Sequence, residues 1–178
     1  YKRTVDARQI QHRRAFKYFY CEVSDMKKAA SIFLRADIKM SDVDNLINWM
    51  ENPNVARYLN ESPYIVRDLK QVSGSVPEPM LTYHFNRMGH FFMVCPEQGF
   101  SIGFVKLMPA YERNVYEIVF AIGDEDLWDN GFGKCAIRSA LAKAFLELRA
   151  VRVIAKIMPM NKRSIRSVCS CGFSSCGE

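Results

Sequence analysis

The stretch Trp128-Asp129-Asn130-Gly131-Phe132-Gly133-Lys134 joins two strongly patterned segments. Before it, Val115 to Ile122 alternates as a strand with an apolar face. After it, Ala136, Ile137, Ala140, Leu141, Ala144, Phe145 and Leu148 recur at helical spacing, so Lys134 to Arg149 reads as an amphipathic helix, with Arg138, Ser139, Lys143 and Glu147 off the stripe. Two glycines at i and i+2 let backbone approach a ligand closely and turn N–H groups outward. A helix starting there adds its positive dipole end, and the combination suits a phosphate or pyrophosphate.

Two common phosphate motifs fit poorly. A P-loop needs glycine where Trp128 stands and Ser or Thr where Cys135 stands. The dinucleotide pattern is met by Gly131, Gly133 and Ala136. However, a long loop separates strand from glycine where that motif has a tight turn, and Val151-Arg152 occupies the place of its ribose-binding acid.

Outward from this stretch, the pattern gives a short strand at Ile32 to Ile38 and a helix from Ser41 to Met50, with Ser41 as N-cap. A second short helix follows at Val55 to Leu59, then a loop at Ser73 to Pro79 and a helix at Met80 to Met88. His90 to Cys95 and Phe100 to Leu107 read as a hairpin. Val151 to Met158 is a strand, and Asn161 to Cys171 is a helix stopped by Gly172. The order implies an α+β, or mixed α/β, domain with one right-handed crossover.

With 178 residues the chain is one domain's worth. No apolar run reaches bilayer length and no secretory signal is visible, so a reducing cytoplasmic setting without membrane association is expected. Cys169, Cys171 and Cys176 lack a C-x-x-C pair and a nearby histidine, so no metal is expected. Of the net charge of +6, residues 1–31 carry +5, from eight Lys/Arg against three acids. Such an arm can hold nucleic acid. A solvated, partly helical extension is the preferred reading, because the glycine and aromatic interleaving of RNA-binding modules is missing.

The run Leu127 to Gly133 resembles the pyrophosphate loop of GNAT N-acetyltransferases, and its tryptophan resembles the RimJ/RimL branch. Three further segments resemble that branch in the same order: Leu34-Arg35 with Ser41-Asp42; Trp49 with Asn52 to Leu59; and Asn161, Ser164, Gly172 and Phe173. The resemblance covers about residues 32–175 and implies the GNAT acyl-CoA fold: a mostly antiparallel sheet flanked by helices, with a splayed parallel strand pair holding coenzyme A. It implies acetyl-CoA as cofactor and a primary amine as acceptor, either a protein N-terminus or a small molecule, in a monomer or homodimer. Cofactor contacts are implied at Ile118, Phe120, Ile122, Trp128, Asn130, Gly131, Phe132, Gly133, Lys134, Cys135, Asn161 and Ser164, with the backbone N–H groups from Asn130 to Cys135 around the pyrophosphate. The alternative is a non-catalytic acyl-CoA-binding module with a basic arm. The family continues past Gly-Phe with two further strands. The short segment after Phe173 therefore implies a sheet that is truncated or incomplete, or that borrows a strand from a partner.

Transfer needs a neutral amine. A lysine-like amine is neutral in only about one molecule in 2,500 at pH 7, and an α-amine in roughly a tenth. Glu117, the one acid in the apolar run Val115 to Ile122, is the candidate base, on the face opposite Tyr116, Ile118, Phe120 and Ile122. The competing reading is a strand-edge glutamate paired with a lysine or arginine. Many relatives carry a tyrosine as general acid where Val168 stands here, which leaves Ser164, Ser167, water or no acid at all.

Overall fold

The computed structural model describes residues 17–21, 32–96 and 99–177. The strands are β1 (Lys17–Cys21), β2 (Ile32–Arg35), β3 (His90–Pro96), β4 (Gly103–Pro109), β5 (Val115–Ile122), β6 (Arg152–Ile157) and β7 (Ser174–Gly177). The helices are α1 (Met40–Glu51), α2 (Pro53–Ala56), α3 (Ile65–Ser75), α4 (Glu78–Phe85), α5 (Phe132–Ala142) and α6 (Lys162–Cys169). No helix among the described residues is long and apolar enough to cross a membrane.

All the strands form one seven-stranded sheet in the order β2-β3-β4-β5-β6-β1-β7. Neighbours run antiparallel except β5 and β6, which are parallel. Strand alternation sends successive side chains to opposite faces, and helices cover both. The α5 and α6 side buries Phe92, Val105, Leu107, Ile118, Val153 and Ala155 with the Ala136–Phe145 stripe. The other side buries Phe91, Met93 and Phe104 against Leu46, Trp49, Leu69 and Leu81 of α1, α3 and α4.

Several boundaries differ from the sequence reading. Helix α1 is capped at Lys39, not Ser41: Lys39 donates its backbone N–H to Asp42 Oδ2 at 2.8 Å. Asp42 is buried and bonds Arg35 at 2.8 and 2.9 Å as well as the Ser101 hydroxyl at 2.8 Å. Its carboxylate thus organises the helix start, which explains the Arg35/Ser41-Asp42 signature. Burial, the largest single influence, lowers the Arg35 guanidinium's pKa, but its interactions with Asp42 and Cys95 together outweigh this and hold it above the ordinary value. Ser73 to Ser75 belong to α3, because the turn chemistry of Ser and Gly is overridden by the packing of Leu69 and Val72. The long helix runs as α5 and then continues as a π-helical segment, Lys143–Glu147.

The expected helical character of residues 1–31 lies outside the described residues except at Lys17–Cys21, which is strand β1. One strand, β7, follows Phe173, and the place between it and β6 is filled by β1 of the same chain.

Candidate active site

The parallel pair opens early. β5 and β6 pair only at Val115↔Arg152, Tyr116↔Val153 and Glu117↔Ile154, although β5 runs on to Ile122 and β6 to Ile157. Beyond Glu117 the two strands part, which frees edge groups of β5 for a ligand. A cleft of 270 Å³ lies there, bounded by Phe120, Ala121 and Ile122, by the loop from Leu127 to Lys134, by α6, and by the Asn54–Leu59 segment.

The loop's shape follows from its residues. Gly131 has φ +84°, a conformation that favours glycine, and space beside it is open where a Cβ would stand. As N-cap of α5 it has no side chain to satisfy the first-turn amides, so the N–H groups of Phe132, Gly133 and Lys134 are left for a ligand. Cys135 is different: its amide already bonds Gly131 O at 3.0 Å. Trp128 braces the loop by donating its indole N–H to Ile122 O at 2.8 Å. The Arg163 guanidinium lies 3.4 Å from the centre of the Trp128 ring.

Among the expected cofactor residues, Phe120, Ile122, Trp128, Gly131, Gly133, Lys134, Asn161 and Ser164 line this cleft. Ile118 does not; it shares the face of Phe120 and Ile122 on β5 but lies next to the paired part of the strand and is buried in the core beneath α5. Asn130 is exposed and donates to Asp126 O at 3.3 Å. Phe132 and Cys135 lie outside the lining, within the first turn of α5. Asn161 caps α6 by accepting from Ser164 N at 3.1 Å.

The sequence reading missed Arg163 and Arg166, which with Ser167 line the cleft from one face of α6. Their i, i+3, i+4 spacing was the available signal. With Lys134 they give three cations against Asp129, a balance that fits phosphate groups. Also missed was Glu125. It accepts from Asn52 Nδ2 at 2.7 Å and from Asn54 Nδ2 at 3.1 and 3.2 Å, tying the α1–α2 junction to the loop after β5. The bond from Asn52, then that from Asn54, holds the Glu125 carboxyl below the usual carboxylate range.

Glu117 lies at the fork on the α1–α4 side of the sheet, facing away from Tyr116, Ile118, Phe120 and Ile122, which pack toward α5. β5 is interior, so the residue is not at a sheet edge, but it does pair with a cation. Lys156 Nζ lies 2.5 Å from Glu117 Oε2, with the two side chains 38% and 17% exposed, so solvent still reaches the site. Val168, at the tyrosine position of many relatives, is fully buried.

The Acetyltransferase (GNAT) domain family matches this chain over residues 32–174. An uncharacterized N-acetyltransferase, p20, of Bacillus licheniformis is 26% identical over 137 residues, covering 76% of this chain and 75% of that protein. The spermidine N-acetyltransferase of Vibrio cholerae, solved with CoA and spermine, superposes with a TM-score of 0.67 at 23% identity, covering 83% of each chain. The ribosomal-protein-S5-alanine acetyltransferase of Vibrio fischeri does so with a TM-score of 0.63 at 16% identity, covering 83% of this chain and 82% of that one. The two structural likenesses are of fold. The family match spans most of the chain, and with the split β5/β6 pair and the uncapped loop it establishes that this protein belongs to the GNAT acetyltransferases, enzymes that use acetyl-CoA as acyl donor.

Proposed function

We propose that this enzyme acetylates a primary amine by direct attack, with Glu117 as general base and the coenzyme's pyrophosphate on the start of α5. The observation that carries this reading is the end of β5/β6 pairing at Glu117, the one carboxylate of β5, three residues before the strand reaches the cleft at Phe120. Acetyl-CoA in the cleft supplies a thioester carbonyl open to attack by an amine. The amides of Phe132, Gly133 and Lys134, with Arg163 and Arg166, neutralise phosphate charge. Asn161 and Ser164 border the path of the pantetheine arm.

Lys156 engages Glu117 Oε2 and fixes the carboxylate's orientation. Oε1 is then the atom that takes the acceptor's proton, directly or through one water. Ser167 donates its hydroxyl to Arg163 O at 3.0 Å, which commits that proton. Ser164 or water therefore reprotonates the departing sulfur, an undemanding step for a thiol leaving group.

A RimJ/RimL-like placement within the family has support beyond the motifs themselves. The Asn52–Asn54 pair and the tryptophan loop are held together: Glu125 joins Asn52 and Asn54 to the short 3-10 turn Glu125–Leu127 that leads into Trp128.

Thermal unfolding with about 1 mM acetyl-CoA tests the cleft. Ligand at 100 times its Kd stabilises by about 2.7 kcal/mol, a rise of several degrees. The Glu117→Gln variant should keep that rise and lose about 100-fold or more in turnover. An unshifted wild-type melting curve removes the cofactor assignment, and a Glu117→Gln enzyme with wild-type turnover removes the base.

A further inference from the structure

The opposite side of the sheet holds a second cavity, of 440 Å³, within the range of small-molecule sites. It lies between α1, α3 and α4 and the floor of β3 and β4, and Leu46, Met50, Leu69, Phe85, Phe91 and Phe104 give it an apolar wall. Its lining includes Met108, the register partner of Glu117 on the neighbouring strand. In-register partners share a face, with Cβ atoms about 4.5–5.5 Å apart. The carboxylate assigned as base is therefore a neighbour of the lining residue Met108.

Its charges are already matched. Lys106 pairs with Glu61, and the Lys106 ammonium lies 5.8 Å from the Phe91 ring centre and 5.5 Å from that of Phe104. Asp68, the other acid in the lining, pairs with Arg67 at 3.1 Å. A second ammonium entering on an acceptor would meet Lys106, with Glu61 already engaged by it and Asp68 half-exposed beside Arg67. An apolar group entering there gains about 25 cal/mol for each Å² removed from water.

We infer that this cavity takes the body of the acceptor, and that the acceptor is a small primary amine with a single cationic head and an apolar body, not a polycation. This rests on the reading of Glu117 as base. The head reaches Glu117 past Met108, while the body fills the space between α1, α3 and β4. Lys106, held by Glu61, excludes amines that carry a second positive charge.

Transfer from acetyl-CoA is followed by thiol release with phenylethylamine, tryptamine and leucinamide against spermidine, kanamycin and a short peptide with a free N-terminus. The expected result is a kcat/KM about tenfold or more higher for the apolar monoamines. Met108→Trp should raise KM for them about tenfold while leaving the acetyl-CoA thermal shift in place. Lys106→Met, which frees Glu61, should narrow the gap for spermidine. Ile65→Trp narrows the cavity at α3 and gives the same readout should Met108→Trp fail to fold. Preference for spermidine, kanamycin or the peptide, or an unchanged KM in the cavity-filling variants, overturns the inference even with transfer and the thermal shift intact. Loss of turnover dependence on Glu117 overturns the underlying reading, and this one with it.

Discussion

The two faces of the sheet carry cavities built in different ways. On the cofactor side, one loop, one helix start and one face of α6 supply backbone amides and the cations Lys134, Arg163 and Arg166. On the other side, side chains from α1, α3, α4, β3 and β4 enclose an apolar space whose few charges are paired with each other. The first is made mostly of peptide geometry in a short segment. The second depends on which side chains long-range packing brings together. A substitution on the cofactor side should therefore act on acetyl-CoA binding, and one on the helical side on stability or acceptor choice.

The most severe expected break is on the helical side. Asp42→Ala strips the buried partner from Arg35 and the cap from α1, and should cost about 3–5 kcal/mol in a denaturant titration. Protein that remains folded should still be stabilised by acetyl-CoA; loss of that response would mean that the two sides are not separable.

Gly131→Ala probes the loop. With φ at +84°, a side chain costs about 1–2 kcal/mol. The added methyl projects into open space beside the α5 amides, so the acetyl-CoA shift should shrink by more than the stability loss explains. An equal shrinkage in both would assign Gly131 to the turn alone.

Glu125 joins the two sides, and its tie should be acid-sensitive. The folded carboxyl lies below its unfolded value of about 4.3. The stabilisation is therefore present above that value and is lost as pH falls through the lower folded one. The melting-temperature difference between wild type and Glu125→Gln should be visible at pH 6 and fade toward pH 3. A difference constant with pH would assign it to shape instead of charge.

The smallest expected effect is chemical. Burial raises the Cys171 thiol's pKa, and its Sγ donates to Lys134 O at 3.5 Å, linking the segment after α6 to the first turn of α5. Alkylation should therefore reach the exposed Cys169 and Cys176 well before Cys171, and bound acetyl-CoA should slow Cys171 further. Equal labelling rates would show that this junction opens readily.

Much of the fold was readable in residue order. The period-two run at β5 and the 3.6-period stripe of α5 are local patterns, and the Gly131–Gly133 entry between them needs no distant partner. Part of the cleft's lining was legible for the same reason, including Trp128, Asn161 and Ser164. Two of the expected contacts lie outside the lining: Ile118 packs in the core, and the Cys135 amide bonds Gly131 O.

The sequence alone determined the crossover unit, the glycine loop at the start of α5 and a single carboxylate in an otherwise apolar strand, because these are contained in contiguous stretches of chain. Tertiary structure decided the rest: that β1 lies between β6 and β7, that β5 and β6 separate just past Glu117, that Lys156 engages that carboxylate, and that Lys106 and Glu61 neutralise each other inside an apolar cavity. Those features are pairings between residues far apart in sequence. They arise from the closing of a sheet on two packed layers of helices, which no local pattern encodes.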